Sequence, residues 1–257
     1  MQFDVSFLPD IALVFMLVFA RIGTMLMLMP ALGEGSISTR VRLSLAVLLT
    51  LIFYPLAQPL YGIDTATGLP QVAQMLALEF AVGFFIGLGA RMITYALSVA
   101  GMIIANQTGL AFAMATDPTM DGQQGAVIGS FLSLLAVTMV FATNLHYLVI
   151  AAMNDSFTMF PPGAPLPVGD MAEMATTMVA DLFTVAMRLS APFLVVGLVF
   201  YFGLGLLNKL MPQMQIFFIA MPVTIGVGAL MLFALLTTMM MWYLSHFEMA
   251  LGRFIAG

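Results

Sequence analysis

The chain contains no cysteine. Disulfides, thiol catalysis and thiolate metal sites are therefore excluded, while the redox compartment stays open. Charge is nearly as scarce, with charged residues making up 7% of the 257 where a soluble domain carries about a quarter. The net charge of -5 is thin and scattered, so no basic patch exists to hold nucleic acid. His146 and His246 are the two histidines, and neither clusters with carboxylates at ligand spacing. Enzyme motifs are missing as well: there is no P-loop, HExxH, G-x-S-x-G or GxGD. No matched pair of broken segments marks the two halves of a duplicated secondary transporter. These absences predict a non-enzymatic protein with no cofactor and no metal. The N-terminus, MQFDVSFLPD, lacks Lys and Arg and so lacks the positive region of a secretory signal; it reads as mature sequence.

What is abundant is apolar surface. Hydrophobic residues make up 62% of the chain, including 25 Met and 22 Phe, and the mean hydropathy is +1.10. Met adapts to irregular gaps, although most of these side chains need no role beyond facing lipid. The apolar residues fall into about six segments, near 11–29, 41–61, 72–104, 126–153, 176–207 and 215–246. Each reaches the roughly 20 residues that a helix needs to cross a bilayer. The expected fold class is all-α: integral membrane-derived helical hairpins, about six long apolar kinked helices, with Pro55 and Pro59 kinking or stopping the second segment and Pro222 kinking the sixth. The stretch from Asn154 to Asp170, with four prolines, is expected to be a rigid extended loop.

Five charges interrupt these segments: Arg21, Glu79, Arg91, Asp181 and Arg188. A charge at the centre of a membrane helix costs at least about 2.5–3.5 kcal/mol, so Arg21 should face protein or water rather than lipid. Glu79 and Arg91 lie about 18 Å apart along one helix and cannot pair with each other; each needs a partner elsewhere. Asp181 and Arg188 share one face two turns apart, without touching. Too few charges are present for a rich ion-coupling relay. Gly83 and Gly87 follow Glu79 at four-residue steps, and Gly125–Gly129 repeats the spacing. Small residues four apart let helices approach closely, and that is the reading of these glycines.

The most unusual stretch is ANQTGLAFAMATDPTMDGQQG, from Ala105 to Gly125. It has the breakers of a loop in Gly109, Pro118, Gly122 and Gly125, yet Leu110 to Met114 is apolar and includes Phe112. Irregular backbone cannot face lipid, because its N–H and C=O groups would go unpaired. Two readings stay open from the residues alone: a segment buried in protein or lining a water-filled cavity, and an ordinary loop packed on its own helices. Basic residues in connections one and five (Arg40, Arg42, Lys209), against acids only in connections two and four, place the odd connections in the cytoplasm and both termini in the periplasm.

Five stretches together resemble a known family: RIGTMLMLMPALG from Arg21, LEFAVGFFIGLGARM from Leu78, NQTGLAFAMATDP from Asn106, NLHYLVIAAMNDSFTMFPPG from Asn144 and LLNKLMPQMQIFFIAMPV from Leu206. The chain resembles the FliR family, the R subunits of the flagellar and type III secretion export gate. The resemblance implies one R subunit in a hetero-oligomer with P-type and Q-type subunits, with the B-type switch subunit as a further partner. That assembly would sit in the bacterial inner membrane at the flagellar basal body and pass unfolded flagellar substrates. It also implies a P-like part over about 1–175 and a Q-like helical hairpin over about 176–257. The family's pore plug maps onto 109–122, with Gly109, Leu110, Phe112, Met114, Asp117, Pro118 and Gly122. The resemblance thus favours the buried, cavity-lining reading of that stretch. A stand-alone membrane transporter of a small solute is the alternative.

Overall fold

The computed structural model describes residues 8–30, 33, 37–62, 68–111, 126–211 and 216–255. Among these the chain is helical, in the order α1 (Leu8–Leu28), α2 (Thr39–Ala57), α3 (Leu69–Gln107), α4 (Ala126–Ala142), α5 (His146–Met159), α6 (Val168–Leu210) and α7 (Ile216–Gly252). Among the described residues five helices are long and apolar enough to cross a membrane, or six if the bent pair α4–α5 counts as one span. The all-α expectation holds. Helix is the form that lets an apolar run satisfy every backbone group within itself. The same economy covers buried hydroxyls, which donate to carbonyls one turn back: Thr50 to Ala46 at 2.7 Å, Ser190 to Ala186 at 2.8 Å and Thr108 to Ile104 at 2.9 Å.

Three helices are longer than a bilayer requires. The 39, 43 and 37 residues of α3, α6 and α7 correspond to roughly 55–65 Å at 1.5 Å per residue, against a hydrocarbon core of about 30 Å. Pro192 lies inside α6 and Pro222 inside α7.

Two expectations are corrected. The segment near 126–153 is not one helix: α4 stops at Ala142, Asn144 takes φ +61° and α5 begins at His146. Asn tolerates the left-handed region better than other non-Gly residues. Its carbonyl accepts from Tyr147 N at 3.1 Å. The stretch expected to be loop from Asn154 is helical to Met159, and α6 resumes at Val168. Nothing in NDSFTM breaks a helix; the breakers begin at Pro161.

The chain forms two compact units that draw on different stretches. The first comprises 1–92, 141–178 and 247–257. Its core is the buried face of α1, Leu17, Val18, Ile22, Met25 and Leu26, with Phe53, Val82 and Ile86. Phe85 packs edge-on against Phe160 and Phe254. In this unit α1 and α3 run parallel, because Glu79 pairs with Arg21, Gly83 abuts Thr24 and Gly87 abuts Leu28. The second unit comprises 93–140 and 179–246. Leu97, Ala100, Ile104, Leu132, Ala136, Leu189 and Phe193 form its core. There α3 and α4 are antiparallel: Gly101 meets Gly129, and Ser98 Oγ lies 3.1 Å from Ser133 Oγ.

Candidate functional site

In the first unit the chemistry gathers at Arg21, which is 1% exposed. Its Nε–H donates to Glu79 Oε2, with Glu79 equally buried. Nη1 donates to the Ser156 carbonyl at 2.8 Å and Nη2 to the Phe160 carbonyl at 3.0 Å. The guanidinium carbon lies 4.5 Å from the centroid of the Phe157 ring. Ser156 and Phe160 occupy the last turn and cap of α5. The Ser156 carbonyl also accepts from Phe160 N–H at 3.0 Å, whereas carbonyls past the helix end lack intrahelical donors and carry the negative end of the dipole, so Arg21 both pairs a carboxylate and caps a helix. A cavity of about 190 Å³ lies over the pair, bordered by Met159 and the loop through Pro161 and Pro167. Tyr61, just beyond the α2 span, is pushed above the ordinary phenol range by burial and then by the Glu79 carboxylate. It therefore stays protonated.

Gly83 and Gly87 let α3 lie against α1: a Cβ at Gly83 would overlap the Arg21 carbonyl, and one at Gly87 would come within 2.8 Å of Leu28 Cβ. The glycine face and the charged site are thus one contact. Arg91 is half-buried on α3. In the second unit Asp181 is half-buried, and Arg188 is exposed with its guanidinium carbon 5.9 Å from the Trp242 ring centroid. Gly129 packs on the Ser98 backbone. Among the described residues no group of three or more His, Asp or Glu is placed to hold a metal.

Of the expected plug residues, Gly109 and Leu110 are described, and Phe112, Met114, Asp117, Pro118 and Gly122 lie outside the described residues, as does Gly125. α3 ends at Gln107, and Gly109 turns the chain with φ +71°, a conformation that glycine adopts at little cost. The turn is closed by Thr108 N–H to Ile104 O at 2.9 Å and Gly109 N–H to Asn106 O at 3.3 Å. Leu110 is half-buried at the start of the segment. Just before it, Gln107 rests on Gly197 of α6 and Thr108 on Gly228 of α7. α6 and α7 run antiparallel here, since Arg188 faces Trp242 and Phe200 shares a small cavity with Thr224.

Several of these partners escape a sequence reading. Backbone carbonyls such as those of Ser156 and Phe160 carry no sequence signal. Gly101 and Gly197 lack a glycine at four-residue spacing and so carry no packing signal along their own helices.

The sequence profile of "Bacterial export proteins, family 1" matches residues 12–250. The flagellar biosynthetic protein FliR of Caulobacter vibrioides is 42% identical over 227 residues, covering 88% of this chain and 90% of its own length. FliR of Escherichia coli K12 is 29% identical, over 84% of this chain and 81% of its own. The Yop proteins translocation protein T of Yersinia pestis is 25% identical, over 86% and 84% respectively. The match takes in the Arg21–Glu79 site, the Gly109 turn and the α6–α7 hairpin alike, and the chain belongs to family 1 of the bacterial export proteins, the family of the FliR proteins.

Proposed function

We infer that this membrane protein, a component of a type III export apparatus, is the R subunit of the flagellar export gate. In that reading it has no catalytic role and helps form and close the pore for unfolded flagellar substrates. Its partners are P-type and Q-type subunits and the B-type switch subunit, in the inner membrane at the basal body. Residues 1–175 are the P-like part, and the α6–α7 hairpin within 176–257 is the Q-like part.

The observation that carries the closure role is the turn at Gly109. Two apolar helices, α3 and α4, flank a segment rich in breakers, and both flanks are pinned by close packing within one unit: Thr108 on Gly228, and Gly129 on Ser98. A segment held so firmly at its roots while being apolar through Leu110, Phe112 and Met114 suits a cavity better than solvent. A pore wide enough for polypeptide would pass ions at rest unless something deformable filled it, and Met adapts to irregular partners.

Deletion of residues 110–120 tests this reading. The expected outcome is an assembled complex that still exports but leaks potassium. Intact assembly without a leak removes the closure role, and loss of the complex assigns the segment to holding α3 and α4 together. Co-purification tests the wider reading: the tagged chain should bring down a defined hetero-oligomer of hydrophobic subunits. A monodisperse chain with solute flux of its own would instead support a stand-alone transporter.

A further inference from the structure

We propose that Arg188 and Trp242 form a binding site for the phosphate of an anionic phospholipid, at one edge of a lipid-facing stripe of α6 that ends at Lys209. The proposal rests on the membrane character of the chain and not on the closure role.

The stretch 189–208 of α6 carries no charge. Arg188 and Lys209 bracket it, and both are exposed. At 1.5 Å per residue the rise between them is roughly 30 Å, the thickness of a hydrocarbon core. The two cations also share one face of the helix, since positions 188, 195, 199, 202, 206 and 209 follow one another in steps of three, four and seven. Val195, Val199, Phe202 and Leu206 are exposed along that stripe. On α7, Leu230 and Phe233 are exposed as well, within a charge-free run over 216–247. An apolar stripe one bilayer thick, closed by a cation at each end, has the polarity profile of a lipid. A neighbouring protein helix would require no such spacing of charge.

The Arg188 end is the better built of the two. Its guanidinium carbon lies 5.9 Å from the centroid of the Trp242 ring, within reach of cation–π attraction. Trp242 is the sole tryptophan of the chain and is half-buried. The His246 imidazole, one turn along α7, stacks on that indole at 5.7 Å with 10° between the planes. An indole combines an apolar body with one N–H donor, which suits it to the boundary between acyl chains and headgroups. Among the described residues no carboxylate pairs with Arg188. Its planar fork of N–H donors keeps its charge at every accessible pH and matches a phosphate bidentately. A guanidinium beside lipid without a counter-charge is costly, and a headgroup phosphate at the level of the indole relieves that cost. Lys209, at the opposite edge, offers a compact point charge and serves as the comparison.

The single tryptophan is the reporter for the test. The full chain is reconstituted in phosphatidylcholine vesicles doped with brominated lipid, whose bromine quenches an indole that it touches. Brominated phosphatidylglycerol should occupy the site roughly tenfold more strongly than brominated phosphatidylcholine, a ratio that one charge-assisted hydrogen bond supports. Arg188→Gln should abolish the preference, and Lys209→Gln should keep it. Arg188→Lys should keep only part of it, because the fork is lost. Equal occupancy by the two lipids in the wild type overturns the site, and so does an Arg188→Gln variant with its preference intact. Where Arg188→Gln does not reconstitute, Arg188→Lys decides, and a preference equal to wild type overturns the site. Added inorganic phosphate should leave the preference unchanged; its loss would assign the site to a free anion and overturn the lipid. If the wild type shows no preference while Arg188→Gln lowers the yield of the full export complex in cells, the guanidinium pairs with a carboxylate of a neighbouring subunit instead.

Discussion

A guanidinium withdrawn from water into an apolar bundle must find acceptors for its N–H groups and a counter-charge. Arg21 finds both, from three different stretches of chain: Glu79 on α3, and the Ser156 and Phe160 carbonyls at the end of α5. Such a pair contributes little net stability when intact, since desolvation offsets attraction. Removing one member is another matter, costing about 3–5 kcal/mol because the other charge is left buried and uncompensated. Glu79→Leu and Arg21→Leu should therefore each sharply reduce the yield and melting temperature of the detergent-extracted complex. The double variant should cost less than the sum of the two singles, because no charge is stranded. It will not be neutral, as the Phe160 carbonyl loses the donor that Arg21 supplies. Normal yield and melting for Glu79→Leu, with export alone impaired, would move the pair from scaffold to pathway. Both residues stood out in the sequence as charges in apolar runs. Their pairing did not, because 58 residues separate them and no local spacing encodes the parallel packing of α1 on α3.

At the scale of helices, legibility follows the kind of force involved. Length and hydropathy identify α1, α2, α3, α6 and α7 because a membrane span is a one-dimensional property. The break between α4 and α5 is set instead by a single Asn in a left-handed turn, in a stretch with neither Gly nor Pro. The glycine contacts are half legible. Gly83 and Gly87 carry the four-residue spacing, whereas Gly101 against Gly129 is a crossing between helices that no single-helix pattern announces. That crossing is tight enough for a prediction. A Cβ at Gly101 would run into the Gly129 backbone, which cannot swing aside as a side chain can. Gly101→Ala should cost about 1–3 kcal/mol by overpacking, seen as reduced monodisperse protein after detergent extraction. Gly205→Ala on α6 meets nothing within 4 Å and should be neutral or gain about 0.5–1 kcal/mol from helix propensity. Equal behaviour of the two variants would show that α3 and α4 do not depend on this contact.

For the whole molecule the question is which face looks where. α1 and α2 are joined by a short connection and pack along each other, with Phe15 against Tyr54 at 6.5 Å between centroids. The first part of α3 then runs parallel to α1. The start of α1 and connection two therefore share one side, and connection one lies on the other. Arg40 and Arg42 lie in the first turn of α2, at the end that connection one joins, and Arg42 Nη1 donates to the Gly33 carbonyl at 3.3 Å there. Connection two carries no basic residue, and the stretch around connection four carries Asp155, Asp170 and Glu173. Basic residues near span ends are retained in the cytoplasm, so connection one is predicted to be cytoplasmic and the Pro161–Pro167 loop periplasmic. A chain without cysteine makes the test direct. Ser38→Cys and Ala164→Cys, introduced singly, can be probed in intact spheroplasts with a membrane-impermeant maleimide. Ala164→Cys should label, and Ser38→Cys should label only after the membrane is permeabilised. Labelling of Ser38→Cys alone in intact spheroplasts would invert the assignment. It would also turn the Arg21–Glu79 cavity, which the Pro161–Pro167 loop borders, from the periplasmic to the cytoplasmic half of the protein.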